Sequence, residues 1–259
     1  MSLVKKGEWW EETRNFKKTV KEEYLDINET LAELENNSSV IRLELNTIEL
    51  PLFSKDPKRI KNQIKVYHFK TDKSSYLEIE APANYSIPGE FEERVFIALT
   101  KIMKNNNYSR SFVVSANEIL ETLVLSNKAY YKRIREALTL LSKTNYTFLN
   151  SLYSNKESGI IEKKIISSIM NITIISKKDS RAKEIEAFED GRIKEVYEIN
   201  FTDYFYENII RKGYLAFDSG KLLAIENSVS RAIYTIVEKW RGYDLYIKRQ
   251  AFFIARRIP

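Results

Sequence analysis

Ser126-Asn127-Lys128-Ala129-Tyr130-Tyr131-Lys132-Arg133-Ile134-Arg135-Glu136-Ala137-Leu138 is the stretch on which the fold turns. At helical spacing Tyr130, Ile134, Ala137, Leu138 and, further on, Leu141 fall on one side. Lys128, Lys132, Arg135 and Thr139 fall on the other, with Arg133 at the edge. Ser126-Asn127 supplies a cap, and the expected helix runs over 126–143. One face can pack on neighbouring helices while the other presents cations, Glu136 being the acidic exception. A lone basic helical face is usually just solvated, so its neighbours in the sequence decide what it is.

Upstream, Phe91, Val95, Ala98, Leu99 and Ile102 mark an amphipathic helix stopped by Asn105-Asn106-Asn107. A short strand comes next at 111–114. Ser115-Ala116-Asn117-Glu118 then reads as a capping box opening a second, short helix that ends near Leu125. Downstream lie three strand-like segments, 146–153, 163–176 and 192–201. A polar tip at 154–159 separates the first two, and 177–191 is a longer charged excursion. Helix, strand, capped helix, turn, basic helix, strand, tip, strand is the order of a winged helix, a helix-turn-helix with a β-hairpin after the reading helix. The expected fold class is α+β, with additional strands before the winged helix and an amphipathic helix at the N-terminus.

A helix so divided suits the major groove of duplex DNA. Its amide-rich start favours phosphate, lysines neutralise backbone charge, and Arg or Asn can make paired hydrogen bonds to base edges. Asn127 and Arg135 are the candidate base readers, and Lys128 and Lys132 the candidate phosphate anchors. Tyr131 and Arg133 complete the expected surface, although Tyr130 or Tyr131 could equally be core with only a hydroxyl reaching water. Lys156 near the expected wing tip, with Lys163 and Lys164 just after it, could reach an adjacent groove or strand.

Further out, Phe16, Val20, Tyr24, Ile27, Leu31 and Leu34 give residues 5–36 a helical seam. It reads either as an amphipathic helix packing on its own domain or as a dimerising helix. Asn36-Asn37-Ser38-Ser39 is a linker, so three regions are expected: 1–39, 40–242 and 243–259. Residues 40–53 alternate apolar and polar, and Ile64 and Val66 face Tyr76, Leu77 and Ile79 across a hairpin turn. Thr202-Asp203 opens another helix, and Asn227 or Ser228 a last long one through Trp240.

The charge balance, 42 basic against 36 acidic residues, is only mildly basic, so the placement of charge matters more than its total. The chain has no cysteine, which excludes disulfides and thiolate metal sites. No apolar run is long enough to cross a bilayer and the N-terminus shows no secretory pattern, so a cytoplasmic location and no membrane partner are expected. His68 is the only histidine, and histidine-pair metal nucleases are thereby excluded. Ser219-Gly220-Lys221-Leu222 fails as a phosphate loop, because Leu215 stands where the first glycine is needed and Leu222 where Ser or Thr is needed. No catalytic constellation, metal or cofactor is expected.

From Ile48 onward the chain resembles the replication initiator protein A family of bacterial plasmids. Leu50-Pro51-Leu52-Phe53-Ser54 is similar to the family's opening motif. Residues 91–102 are similar to its first winged-helix helix, and 126–141, with Tyr131 and Ala137-Leu138, to its reading helix. Tyr197-Glu198-Ile199-Asn200-Phe201, leading into Tyr204 to Ile210, then Gly213-Tyr214-Leu215-Ala216-Phe217-Asp218, then Ser228-Val229-Ser230-Arg231-Ala232-Ile233-Tyr234 stand in the family's order of strand, helix, short strand and Arg-containing helix. The resemblance implies a non-enzymatic initiator that recognises repeats at a plasmid origin, helps to open it and recruits host replication proteins. It also implies a second winged helix, of which 243–259 would be the incomplete beginning. The residues alone leave two alternatives: a winged-helix transcription regulator, or a protein-interaction module acting through the helix at 5–36, which could also make a homodimer.

Overall fold

The structure, a computed structural model, describes residues 39–70, 73–242, 244, 246–249, 251–255 and 257–258. The chain divides into two compact units, Met1–Val40 and Ile41–Pro259. The expected amphipathic helix at 5–36 lies outside the described residues, and the sheets and core belong to the second unit.

Strand β1 (Val40–Glu44) gives way at once to the five-residue helix α1 (Leu45–Glu49). The alternation read over 40–53 is cut short because the Glu44 carboxylate accepts the Thr47 N–H at 3.0 Å and caps the helix. Leu50, Leu52 and Phe53 then enter the core. Strands β2 (Ile64–His68) and β3 (Tyr76–Glu80) form the expected hairpin, pairing Ile64 with Glu80 and His68 with Tyr76.

Helix α2 (Glu90–Asn105) is the centre of the core, with Val95, Ala98, Leu99, Ile102 and Met103 fully buried. Its start is fixed by Glu92, whose carboxylate accepts the Gly89 N–H at 2.7 Å. After β4 (Ser111–Val114) comes α3 (Ala116–Thr122), opened by the expected capping box. Ser115 Oγ accepts the Glu118 N–H at 3.1 Å, and the Glu118 carboxylate takes the Ser115 N–H in return. Val124, which ends this turn, is exposed and adopts φ +56°, a left-handed conformation rare for a β-branched residue.

The basic helix α4 spans Tyr130–Lys143 and so begins four residues later than expected. The cause is local. Asn127 Oδ1 accepts the Ala129 N–H at 2.8 Å, and Tyr130 and Tyr131 donate to the carbonyls of Asn127 and Lys128, a tight turn that postpones the regular helix. Ile134, Ala137, Leu138 and Leu141 are buried as the spacing requires, and α2, α3 and α4 pack on one another.

The next strands are β5 (Asn145–Leu149), β6 (Tyr153–Ser154), β7 (Gly159–Ile160), β8 (Lys164–Ser167), β9 (Met170–Ser176) and β10 (Glu195–Phe201). They do not form the sheet that the sequence suggests. The single strand expected over 163–176 is two strands in two sheets. β8 pairs with β5 and completes an antiparallel sheet in the order β2-β3-β5-β8, whereas β9 pairs with β10 in a sheet of order β4-β10-β9. The break has a physical cause. Thr202 donates its N–H to the Ile169 carbonyl (3.2 Å) and its hydroxyl to the Ser168 and Ile169 carbonyls (3.0 and 2.9 Å). These carbonyls are thus satisfied outside any ladder, while buried Ile169 and Met170 pull the chain inward.

The hairpin at 145–167, with its tip at 154–159, therefore belongs to the four-stranded sheet. The hairpin beside β4 is β9–β10. Its connection, 177–194, is charged as expected, but it is built of two short 3-10 helices, Ser180–Glu184 and Glu186–Glu189. Ala182 and Phe188 from these pack with Ile175 and Val196 in a small core of their own.

Helix α5 (Asp203–Ile210), strand β11 (Tyr214–Asp218), helix α6 (Ser219–Ala224) and helix α7 (Ser228–Arg241) close the unit, with β11 paired to β1. α7 is held by a buried ion pair. Arg231, 1 % exposed, meets Glu93 of α2 at 2.8 Å, and Lys55 reaches the other Glu93 oxygen at 2.6 Å. Among the described residues of 243–259 there is one short helix, α8 (Ala251–Ala255), and no strand. No helix of the described residues is long and apolar enough to cross a membrane.

Candidate nucleic-acid interface

The outer face of α4 does not stand alone. Facing it, β10 and the end of the 177–194 connection bring up Asp190, Arg192, Ile193, Lys194, Glu195 and Tyr197, and the start of α3 adds Ser115, Ala116 and Asn117. Between them runs a cleft of about 620 Å³, one wall of which is Tyr131, Lys132 and Arg135 of α4 with Lys128 from the turn before it. Five cations line it against two carboxylates.

Each wall is positioned by side chains that the cleft needs. Tyr131 Oη donates to Asn117 Oδ1 at 2.9 Å, tying α4 to α3, and Asn117 in turn donates to Glu121 at 2.6 Å. Lys132 is largely exposed, its nearest carboxylate being Glu136 one turn on at 3.9 Å. An exposed pair of that length contributes little and leaves the ammonium available to an anion. On the opposite wall Arg192 grips Asp190 through two contacts of 3.1 Å. Those hydrogen bonds hold the Asp190 carboxyl below the ordinary carboxylate range. Arg135 Nη1 stands 3.7 Å from Glu195 Oε2, and Tyr197 Oη donates to Glu195 Oε1 at 2.5 Å.

Of the residues expected from the sequence, the structure brings Lys128, Tyr131, Lys132 and Arg135 together in the cleft. Asn127, Arg133, Lys156, Lys163 and Lys164 do not line it. Asn127 spends its side-chain oxygen on the turn before α4. The Arg133 guanidinium lies 4.0 Å over the Phe91 ring, stacked on α2. Lys156 sits at the β6–β7 tip. Neighbouring Asn155 pins that tip: its N–H donates to Asn208 Oδ1 at 2.9 Å and its side-chain amide to the Arg211 carbonyl. Lys163 and Lys164 lead into β8 of the four-stranded sheet.

Sequence reasoning missed Arg192, Lys194, Glu195, Tyr197 and Asn117. The strand-like segment expected over 192–201 holds β10, which begins three residues later, at Glu195. The partner of that strand, β4, lies more than eighty residues earlier, with Tyr197 opposite Val114, and no local pattern announces it.

Among the described residues no group of three or more His, Asp or Glu could hold a metal ion. Fold and cleft together define a mixed α/β module of antiparallel sheets with a cation-rich cleft between a helix and a hairpin. A family model for replication initiator protein A matches residues 42–246. The chain belongs to the replication initiator protein A family. Among solved structures, it is similar to the crystal structure of domains 2 and 3 of RctB as selenomethionine derivatives, with a TM-score of 0.52 at 12 % identity over 82 % of each chain. Another structure of RctB domains 2–3 gives 0.49 at 13 % identity, over 76 % of this chain and 69 % of that one. At these identities the likeness is one of fold. No curated protein matches the chain.

Proposed function

We propose that this chain is a non-enzymatic replication initiator of plasmid type that binds duplex repeats at an origin, in the cytoplasm, through the cleft between α4 and β10. The observation that carries the reading is the convergence of Lys128, Lys132 and Arg135 on one wall with Arg192 and Lys194 on the other. Cations spread over two walls suit a polyanion that passes along both, since each neutralised phosphate releases condensed counterions.

In this reading α2, β4, α3, α4, β9 and β10 form a winged helix with α4 as its reading helix. The strand order β4-β10-β9 supports it, because the β-hairpin of such a module closes on the strand that precedes the second helix. The wing is then residues 177–194, and the hairpin at 145–167 is an insertion. Family membership favours an initiator over a transcription regulator, and it supports the recruitment of host replication proteins. A homodimer through residues 5–36 is part of the proposal.

The test is direct. Lys132→Glu and Arg135→Glu, each on an exposed face, should weaken binding to a duplex carrying the origin repeats by at least about tenfold, with thermal unfolding unchanged. Wild-type affinity in both variants would remove α4 from the interface.

A further inference from the structure

Two carboxylates in a cleft meant for phosphate need a reason, since each repels the ligand. Asp190 has one in the fork of Arg192. Glu195 is different, because it joins the core to the rim. Glu195 and Tyr197 are two apart in β10 and share a face of the strand, while Val196 between them points to the small core under the connection. Tyr197 is 1 % exposed. Burial, and then its bond to Glu195, drive its phenol well above the ordinary value, so it stays protonated and stays a donor. Its hydroxyl donates to one Glu195 oxygen at 2.5 Å, and the other oxygen lies 3.7 Å from Arg135 Nη1. Arg135 itself is half exposed into the cleft, and with five N–H donors it has most of its hydrogen-bonding capacity left for a ligand.

We infer that Glu195, anchored by Tyr197, is a positioning residue that aims Arg135 at the major-groove edge of a guanine and discourages binding through phosphate alone. This rests on the duplex-binding role proposed above. The physical case is preorganisation. A free arginine has many rotamers, all of which can find some phosphate. A fixed carboxylate 3.7 Å from the guanidinium, beyond hydrogen-bond reach, biases those rotamers by charge alone, so that less freedom is lost when Arg135 forms the paired bonds to guanine O6 and N7. The negative charge of Glu195 beside Arg135 also repels a phosphate drawn to that guanidinium, and so favours the base edge over the backbone.

The experiment is enrichment from a duplex library with a randomised segment of about two helical turns, using the full chain. Affinities are then measured for the enriched duplex and for single base-pair replacements. Wild type should enrich a sequence with one G·C pair whose preference is lost in Arg135→Ala. At that pair Glu195→Gln and Tyr197→Phe should lose about tenfold discrimination, with preferences at other positions intact. Glu195→Gln should also bind unselected duplex more tightly than wild type at low salt. Unaltered discrimination in Glu195→Gln and Tyr197→Phe would overturn the positioning role while leaving duplex reading in place. So would a guanine preference that survives Arg135→Ala. A wild-type chain that enriches nothing would instead sink the proposed function, and this inference with it.

Discussion

Glu44 shows how much of this molecule is settled by single buried polar groups. It is 1 % exposed, and one of its oxygens accepts from Asn46 Nδ2 at 2.7 Å and from Asn208 Nδ2 at 2.6 Å. Both amides also donate to the Tyr153 carbonyl, at 2.8 and 2.9 Å. One carboxyl group thereby ties β1 and α1 to β6 and α5, and the β6–β7 tip that carries Lys156 is docked on α5. The turn after α5 is part of the same knot: a Cβ on Gly213 would come within 2.8 Å of the Asn208 side chain. Burial outweighs these hydrogen bonds and pushes the Glu44 pKa up to about 7. The folded-state value therefore lies above the unfolded one, so the stabilisation this group gives is complete below about pH 4.5 and is lost as pH rises through about 7. Glu44→Gln has no such titration. Its stability relative to wild type should rise by on the order of 2–3 kcal/mol between about pH 4.5 and about pH 8, read from urea unfolding at both values. A constant difference across that range would mean that Glu44 is ionised in the fold throughout. Nothing in the sequence marks this residue, since an acid at the end of an apolar strand reads as an edge.

At the scale of elements, the helices were largely legible and the strand partners were not. Apolar spacing and caps located α2, α3, α5 and α7, because those signals lie within a few residues of one another. The start of α4 slipped only where Asn127 bonds to the backbone two residues on, a local competition that can be written equally well as a cap. The change of sheet at 168–169 was invisible, because the residues that enforce it are Ile169, Met170 and the distant Thr202. That one break puts Lys156, Lys163 and Lys164 on the hairpin of the four-stranded sheet, apart from β9–β10, and it is why the wing in the proposed function is 177–194 rather than the hairpin with its tip at 154–159. The two hairpins can be separated by charge reversal. Arg192→Glu with Lys194→Glu should weaken duplex binding by about tenfold or more, while Lys156→Glu with Lys164→Glu should change it by less than about threefold. The reverse ranking in a filter-binding or anisotropy titration would return the wing to 154–159.

For the whole molecule, the order of elements carried the family reading from Ile48 onward, and the family model matches 42–246. What order could not supply was the cleft, which exists only once β10 is laid between β4 and β9. The ion pair of Arg231 with Glu93 illustrates the same limit: Arg231 lay in a segment singled out for its family pattern, and its role is to lock α7 onto α2 from inside the core rather than to meet a ligand. In the proposed function, the cations on the α4 side and those at the end of the 177–194 connection, Arg192 and Lys194, act on one duplex together. The decisive quantity is the slope of log affinity against log salt concentration for a repeat-bearing duplex, in wild type and in Lys132→Ala/Lys194→Ala. At about 0.9 per neutralised phosphate, cations on both walls predict a wild-type slope of roughly −3 to −5, made shallower by about 2 in the double variant. A slope near zero, or one that the two substitutions leave unchanged, would rule out a duplex held between the two walls.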